Sequence, residues 1–160
     1  AKNVPVLCYL PAENDHLFLR GTILVSAMLL GIAEATLARS VDYAKQREQF
    51  GKVIGSFQAI KHYCAEMAVR CESVRSMLYH TSITFQAQSP AGVFDACSLK
   101  ALAIEAAQYN ANTAIQIHGG MGFTREMDIH LFVKRAQVLG TLFGGERYHL
   151  RRLLCEPVVD

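Results

Sequence analysis

Tryptophan is absent from the 160 residues, and proline is scarce. The four prolines, Pro5, Pro11, Pro90 and Pro157, leave stretches 12–89 and 91–156 without one. Long helices tolerate such stretches, whereas a many-stranded sheet would want more turn punctuation. Charge is thin as well, at 19% Asp, Glu, Lys and Arg, against about 25% in an average domain. Hydrophobic residues make up 51%, which excludes intrinsic disorder and leaves apolar surface to be covered from outside the chain. The balance of 16 basic and 14 acidic residues gives +2, too weak a field for nucleic acid, and none is expected as a partner. No CxxC occurs among Cys8, Cys64, Cys71, Cys97 and Cys155, and no serine or cysteine sits in a nucleophile elbow. An odd cysteine count without a signal peptide at the start reads as reduced thiols in the cytoplasm, with an organelle matrix left open. The most apolar run, Thr22 to Ala38, is interrupted by Gly31 and Glu34. It falls short of the roughly 20 apolar residues of a span, so a buried helix and no membrane are expected. The first residue is Ala1 rather than Met, which reads as a mature chain or a piece of a longer one.

What is present is helical periodicity. Ile60, Cys64, Met67, Cys71, Val74, Leu78 and Phe85 step by three, four or seven, and Ala96, Leu99, Ala103, Ala106, Thr113 and Ile117 do the same. Ile129, Phe132, Val133 and Ala136 mark a fourth segment, and residues 22–49 a first. Glycines cluster at 51–55, 119–122 and 140–145, where loops are expected. Pro90-Ala91-Gly92 reads as the turn between long helices two and three. The expected fold is all-α: an up-down four-helix bundle over residues 16–160, with an additional short C-terminal helix. Residues 1–15 read as an extended lead-in.

Three constellations could carry chemistry. The first is Arg47-Glu48-Gln49-Phe50-Gly51 with Ile54 and Phe57-Gln58. An arginine beside an aromatic and a glycine turn can clamp a phosphate and cover a flat ring. The plainer reading is a helix stop, with Gly51 as C-cap and Phe50 as a core anchor. The second is Gln116-Ile117-His118-Gly119-Gly120-Met121-Gly122-Phe123, ahead of Thr124 as the N-cap of the next helix. Its glycines let backbone N–H groups approach an anion, or simply turn the chain between helices. No strand precedes it and the spacing is GGxG, so it is not a dinucleotide-fold fingerprint. The third is Leu142-Phe143-Gly144-Gly145-Glu146-Arg147, a glycine hinge before a basic terminal helix expected to be solvated. A di-iron reading would need facing glutamates and Glu-x-x-His pairs. Glu13/His16 and Glu146/His149 have that spacing, and Glu34, Glu66 and Glu105 lie on helices, but the required quartet of facing helices is not met and no metal is expected. His62, His80 and His130 are scattered.

The joint order of these elements (long helix, RxxFG, FQAI, two long helices, QIHGGMGF, helix, glycine hinge, short helix) resembles the C-terminal helical domain of the acyl-CoA dehydrogenase family. The resemblance covers about residues 16–157. It implies that this bundle and a β-domain hold FAD between them, with a neighbouring subunit's bundle over the adenine end. It further implies that Arg47 contacts the FAD pyrophosphate. Gln49, Phe50, Ile54, Phe57 and Gln58 would lie near the adenosine half, and Gln116, Gly119 and Gly120 would lie near the pyrophosphate and ribose across a dimer. The family removes an α-proton from an acyl-CoA thioester with a glutamate and passes a β-hydride to the flavin. At the usual glutamate position stands Phe143, which cannot accept a proton. The alternative place on the first helix falls at Gly21, or with a slip at Leu19, and Glu146 is a weak substitute. The resemblance therefore implies an FAD-binding, base-less domain acting as a homodimer or homotetramer, or beside a related base-bearing subunit, with acyl-CoA as substrate. Alternatives are a flavin-dependent monooxygenase of the same fold and a non-catalytic oligomerisation module. Alone, the chain is expected to bind FAD weakly or not at all and to self-associate.

Overall fold

The computed structural model describes residues 16–155; the expected lead-in over 1–15 lies outside the described residues. Helix α1 spans His16–Gln46, α2 Gln58–Gln86, α3 Gly92–His118, α4 Ile129–Thr141 and α5 Glu146–Cys155. Helices α1 to α4 form the expected bundle and α5 the short addition. The structure adds a hairpin of two-residue strands, β1 Glu48–Gln49 and β2 Lys52–Val53, and 3-10 turns at Ile54–Ser56 and Gly119–Phe123.

Helix α3 is the axle, packing on α1, α2, α4 and α5. Its sequence suits that place: Ala96, Ala103, Ala106, Ala107, Ala111 and Ala114 are all fully buried, and small side chains let neighbouring helices approach closely. The main core joins Leu29 and Ala33 of α1, Cys71 and Val74 of α2, Leu99, Ala103 and Ala107 of α3, and Ala136 and Leu139 of α4. A second cluster, Ala44, Ile54, Met67, Ala114, Ile117 and Ile129, sits under the loop end of the bundle. Asn110 ties three helices together, its Nδ2 donating to Ala33 O at 3.2 Å and Met67 O at 3.1 Å and reaching Cys71 Sγ at 3.3 Å.

Helix α1 is long and apolar enough to cross a membrane by length and composition, with half of its most apolar window buried in the bundle. Three of its buried hydroxyls are satisfied within the helix: Thr22 donates to Phe18 O, Ser26 to Thr22 O and Thr36 to Ile32 O.

Two boundary expectations are corrected. Gly51 does not cap α1, which ends at Gln46; it turns the hairpin at φ 76°. Thr124 does not cap α4 either. It closes the preceding 3-10 turn through a hydroxyl bond to Met121 O, and Asp128 takes the N-cap position. The helical glutamates of the metal reading are engaged elsewhere: Glu34 with Arg75, Glu105 with Arg70, Glu66 with the Tyr109 hydroxyl. Among the described residues no group of three metal-ligating side chains converges.

Candidate functional site

A cavity of about 400 Å³ opens at the loop end of the bundle, lined by Tyr43, Arg47, Gln49, Ile54, Ile117, His118, Gly119, Gly120 and Met121. Two motifs separated by a pair of long helices thus share one concavity. Each side has a local cause. After α1, the Arg47 N–H still bonds Tyr43 O at 2.9 Å, and the Arg47 carbonyl accepts from Ile54 N at 2.8 Å. That pair closes the hairpin and holds the arginine at its root. The strands pair Glu48 with Val53 and Gln49 with Lys52, leaving Phe50-Gly51 as a two-residue turn. Both have positive φ, 55° and 76°, the geometry that hairpin turns prefer and that asparagine-glycine ordinarily supplies. A phenylalanine in that region costs about 1–2 kcal/mol, yet its ring is 91% exposed. On the other side α3 ends where Gly119 turns to φ 60° and ψ −139°.

The site is basic and roomy. Among the described residues the Arg47 guanidinium has no carboxylate partner. A Cβ built on Gly119 or Gly120 would meet nothing within 4 Å, so the glycines leave open space on the cavity side of the turn. The wall between them is Tyr43 stacked on His118, with ring centroids 4.3 Å apart and planes at 24°. The His118 Nδ1 lies 2.7 Å from Ala114 O, so that nitrogen carries the proton. Burial pushes the His118 pKa down despite that backbone bond, and Arg39 pushes it further; the ring is neutral at physiological pH. An adjoining hollow of about 210 Å³ shares Tyr43 and His118 and adds Arg39, Asp42 and Gln46.

Of the residues expected near a nucleotide, the cavity gathers Arg47, Gln49, Ile54, Gly119 and Gly120. Phe50, Phe57, Gln58 and Gln116 do not line it. Phe57 is half-buried under the hairpin, edge-on to Phe50 at 6.2 Å and beneath Lys52 Nζ at 4.3 Å. Gln58 lies 3.3 Å from the exposed His62, and Gln116 is exposed near the end of α3. Phe50 is thus no core anchor. Sequence reasoning missed Tyr43 and His118. Tyr43 stands one helical turn before Arg47, which could have flagged it, and His118 adjoins the glycines.

The hinge between α4 and α5 is a different place. Phe143 takes φ 53° and Gly144 φ 90°. Two buried side chains hold its carbonyls: Lys100 Nζ donates to Leu139 O at 3.0 Å, and His149 Nε2 bonds Phe143 O at 2.9 Å. Nδ1 of His149 lies 3.4 Å from Cys97 Sγ; with the ring proton on Nε2, the thiol donates to it. Burial lowers the Lys100 pKa to about 8. Burial lowers that of His149 too, with Lys100 and Arg152 adding to the shift against the Phe143 bond. The terminal helix is therefore not simply solvated. Glu146 opens it, where a carboxylate favours the helix N-terminus. Leu19 is buried on α1.

Comparison with known proteins supplies the frame. Residues 16–155 match the family described as acyl-CoA dehydrogenase, C-terminal domain. Acyl-CoA dehydrogenase FadE34 of Mycobacterium tuberculosis is 41% identical over 136 residues, covering 84% of this chain and 19% of that protein. The structure of butyryl-CoA dehydrogenase from Megasphaera elsdenii superposes with a TM-score of 0.82 at 34% identity, over 86% of this chain and 36% of that one. A chain of the ChsE4-ChsE5 complex from Mycobacterium tuberculosis superposes with a TM-score of 0.81 at 30% identity, over 89% and 40%. The chain thus spans well under half the length of each of these relatives.

Proposed function

The chain belongs to the acyl-CoA dehydrogenase family, whose C-terminal helical domain it carries, and on that premise we propose that it supplies the nucleotide-gripping half of an FAD site in an acyl-CoA-oxidising assembly while another segment or subunit supplies the base. The carrying observation is the cavity shared by Arg47 and the Gly119-Gly120 turn. A guanidinium with no carboxylate partner among the described residues offers a two-pronged donor for a pyrophosphate. Glycines with open space beside them let backbone N–H groups come close to phosphate oxygens. The Tyr43–His118 stack offers a flat wall, and the strained, exposed Phe50 stands at the rim as apolar cover. Gln58 and Gln116 fit this reading only as contacts to a second copy of the bundle. When bound, FAD supplies the hydride acceptor.

The missing carboxylate favours a division of labour. By the family resemblance the base positions fall at Phe143 and at Gly21, or with a slip at Leu19, none of them a carboxylate, and Glu146 lies beyond them in the first turn of α5. One solved relative is itself a two-protein complex. This supports pairing with a base-bearing subunit over a purely homomeric enzyme. The test is to co-express the full chain with candidate partners and measure retained flavin absorbance together with acyl-CoA oxidation. Flavin retained through Arg47, with turnover only in the mixed assembly, is expected. An assembly that holds no flavin in any combination would overturn the reading.

A further inference from the structure

One ring of the Tyr43–His118 stack can change its charge. His118 is only 4% exposed, yet it borders both the cavity of about 400 Å³ and the adjoining hollow of about 210 Å³. Its Nδ1 is occupied by Ala114 O at 2.7 Å, back along α3. The other ring nitrogen, Nε2, bonds to nothing among the described residues. Stacking on Tyr43, with centroids 4.3 Å apart, fixes the plane of the ring, so Nε2 is held at one place in the wall. His118 also directly precedes Gly119 and Gly120, which line the same cavity with open space beside them. A phosphate cradled by that turn therefore lies next to the imidazole.

The groups around the ring set its charge. From α1, Arg39, Asp42, Tyr43 and Arg47 line the two hollows with it. The hairpin contributes the uncharged Gln49. The 3-10 turn Gly119–Phe123 carries no titratable side chain, and Met127 and Ile129, which close the smaller hollow, are apolar. Two guanidiniums against one carboxylate make these surroundings cationic. Burial and then Arg39 keep the ring neutral, against the Ala114 bond. The two negative charges of a pyrophosphate reverse the sign of the surroundings and favour the imidazolium.

We propose that His118 is a proton-linked phosphate donor: when the pyrophosphate of a nucleotide enters the cavity, the ring takes a proton from solvent on Nε2 and joins Arg47 as a second cationic hydrogen-bond donor. One proton leaves water and one N–H bond forms; no bond of the nucleotide changes. The inference rests on the nucleotide reading of the cavity and adds its regulation. The ring holds a proton more tightly in the complex than before it, so binding takes up protons. Affinity therefore rises as pH falls, and levels off once the ring is protonated in both states. The pyrophosphate diester of FAD has no titrating proton in this range, so the uptake belongs to the protein.

Titration calorimetry of FAD into the flavin-stripped assembly of the full chain, in buffers of different ionisation enthalpy, counts the protons. The parent should take up roughly half a proton near neutrality, with affinity rising roughly three- to tenfold between about pH 8 and pH 5.5. His118→Phe keeps a ring against Tyr43 and should melt as the parent does, while that uptake and that rise disappear. Arg39→Gln removes a cation that opposes protonation, so the uptake should move to higher pH. No uptake in the parent, uptake unchanged in His118→Phe, or an Arg39→Gln profile identical to the parent's would each overturn the proposal. FAD held through Arg47 with no proton uptake would leave the nucleotide reading standing without it. An assembly that binds no FAD at any pH would overturn both.

Discussion

The hairpin tip at Phe50-Gly51 and the hinge at Phe143-Gly144 use the same device, a phenylalanine in the left-handed region followed by a left-handed glycine. At the hairpin the ring is 91% exposed, beside a cavity whose arginine has no carboxylate partner among the described residues and whose glycines face open space. At the hinge the ring is 40% exposed and seated on Gly21, with buried histidine and lysine donors fixing the backbone around it. One strained turn holds a side chain out; the other holds one in. Local strain therefore does not say what a turn is for. What lies opposite does: an open basic cradle in one case, a bare α-carbon in the other. On the proposed reading, nucleotide binding falls to the hairpin end, which is the more open of the two.

The separation can be broken most sharply at Arg47. Replacing it with alanine in the flavin-bearing assembly removes a charge-assisted contact of about 1.5–3 kcal/mol. Flavin affinity measured by fluorescence titration should fall on the order of 10- to 100-fold, while the melting temperature without flavin stays put, because the exposed Arg47 has no carboxylate partner among the described residues. His149→Ala should do the reverse. It leaves the Phe143 carbonyl without its donor and costs about 1–3 kcal/mol of stability in urea unfolding, with flavin affinity unchanged. Gly120→Val sharpens the contrast further. The open space beside Gly120 accepts the side chain, so stability holds, while the cradle narrows and flavin binding weakens by roughly tenfold.

A further effect is a pH slope confined to the hinge. Lys100 holds its proton less tightly when folded, at about pH 8 against 10.5 unfolded. As pH falls from 10.5 to 8 the unfolded chain takes up a proton that the folded chain does not, so stability declines over that window and is level below it. Urea unfolding at several pH values should show this component in the parent and not in Lys100→Met. His149, also lowered, should make stability fall again as pH drops below about 6.5.

The helices were legible because their apolar positions recur at helical spacing, and the loops because glycines cluster there. Ala96, Leu99, Ala103 and Ile117 all proved to be core. The two-residue strands were not legible, since a pair so short carries no alternation. Lys100 was missed although it lies between Ala96 and Ala103 on the buried face, because lysine ordinarily marks a surface. Within the candidate site, Arg47 and the two glycines could be read from residue type. The stacking of Tyr43 on His118 and the contact of Phe143 with Gly21 could not, because each joins segments far apart in sequence.

The most direct test compares Arg47→Ala with Phe143→Ala in the same flavin-bearing assembly, by equilibrium flavin affinity. The account predicts that the Arg47 variant releases flavin and the Phe143 variant retains it at near-parent affinity. Flavin lost on Phe143→Ala and kept on Arg47→Ala would contradict it.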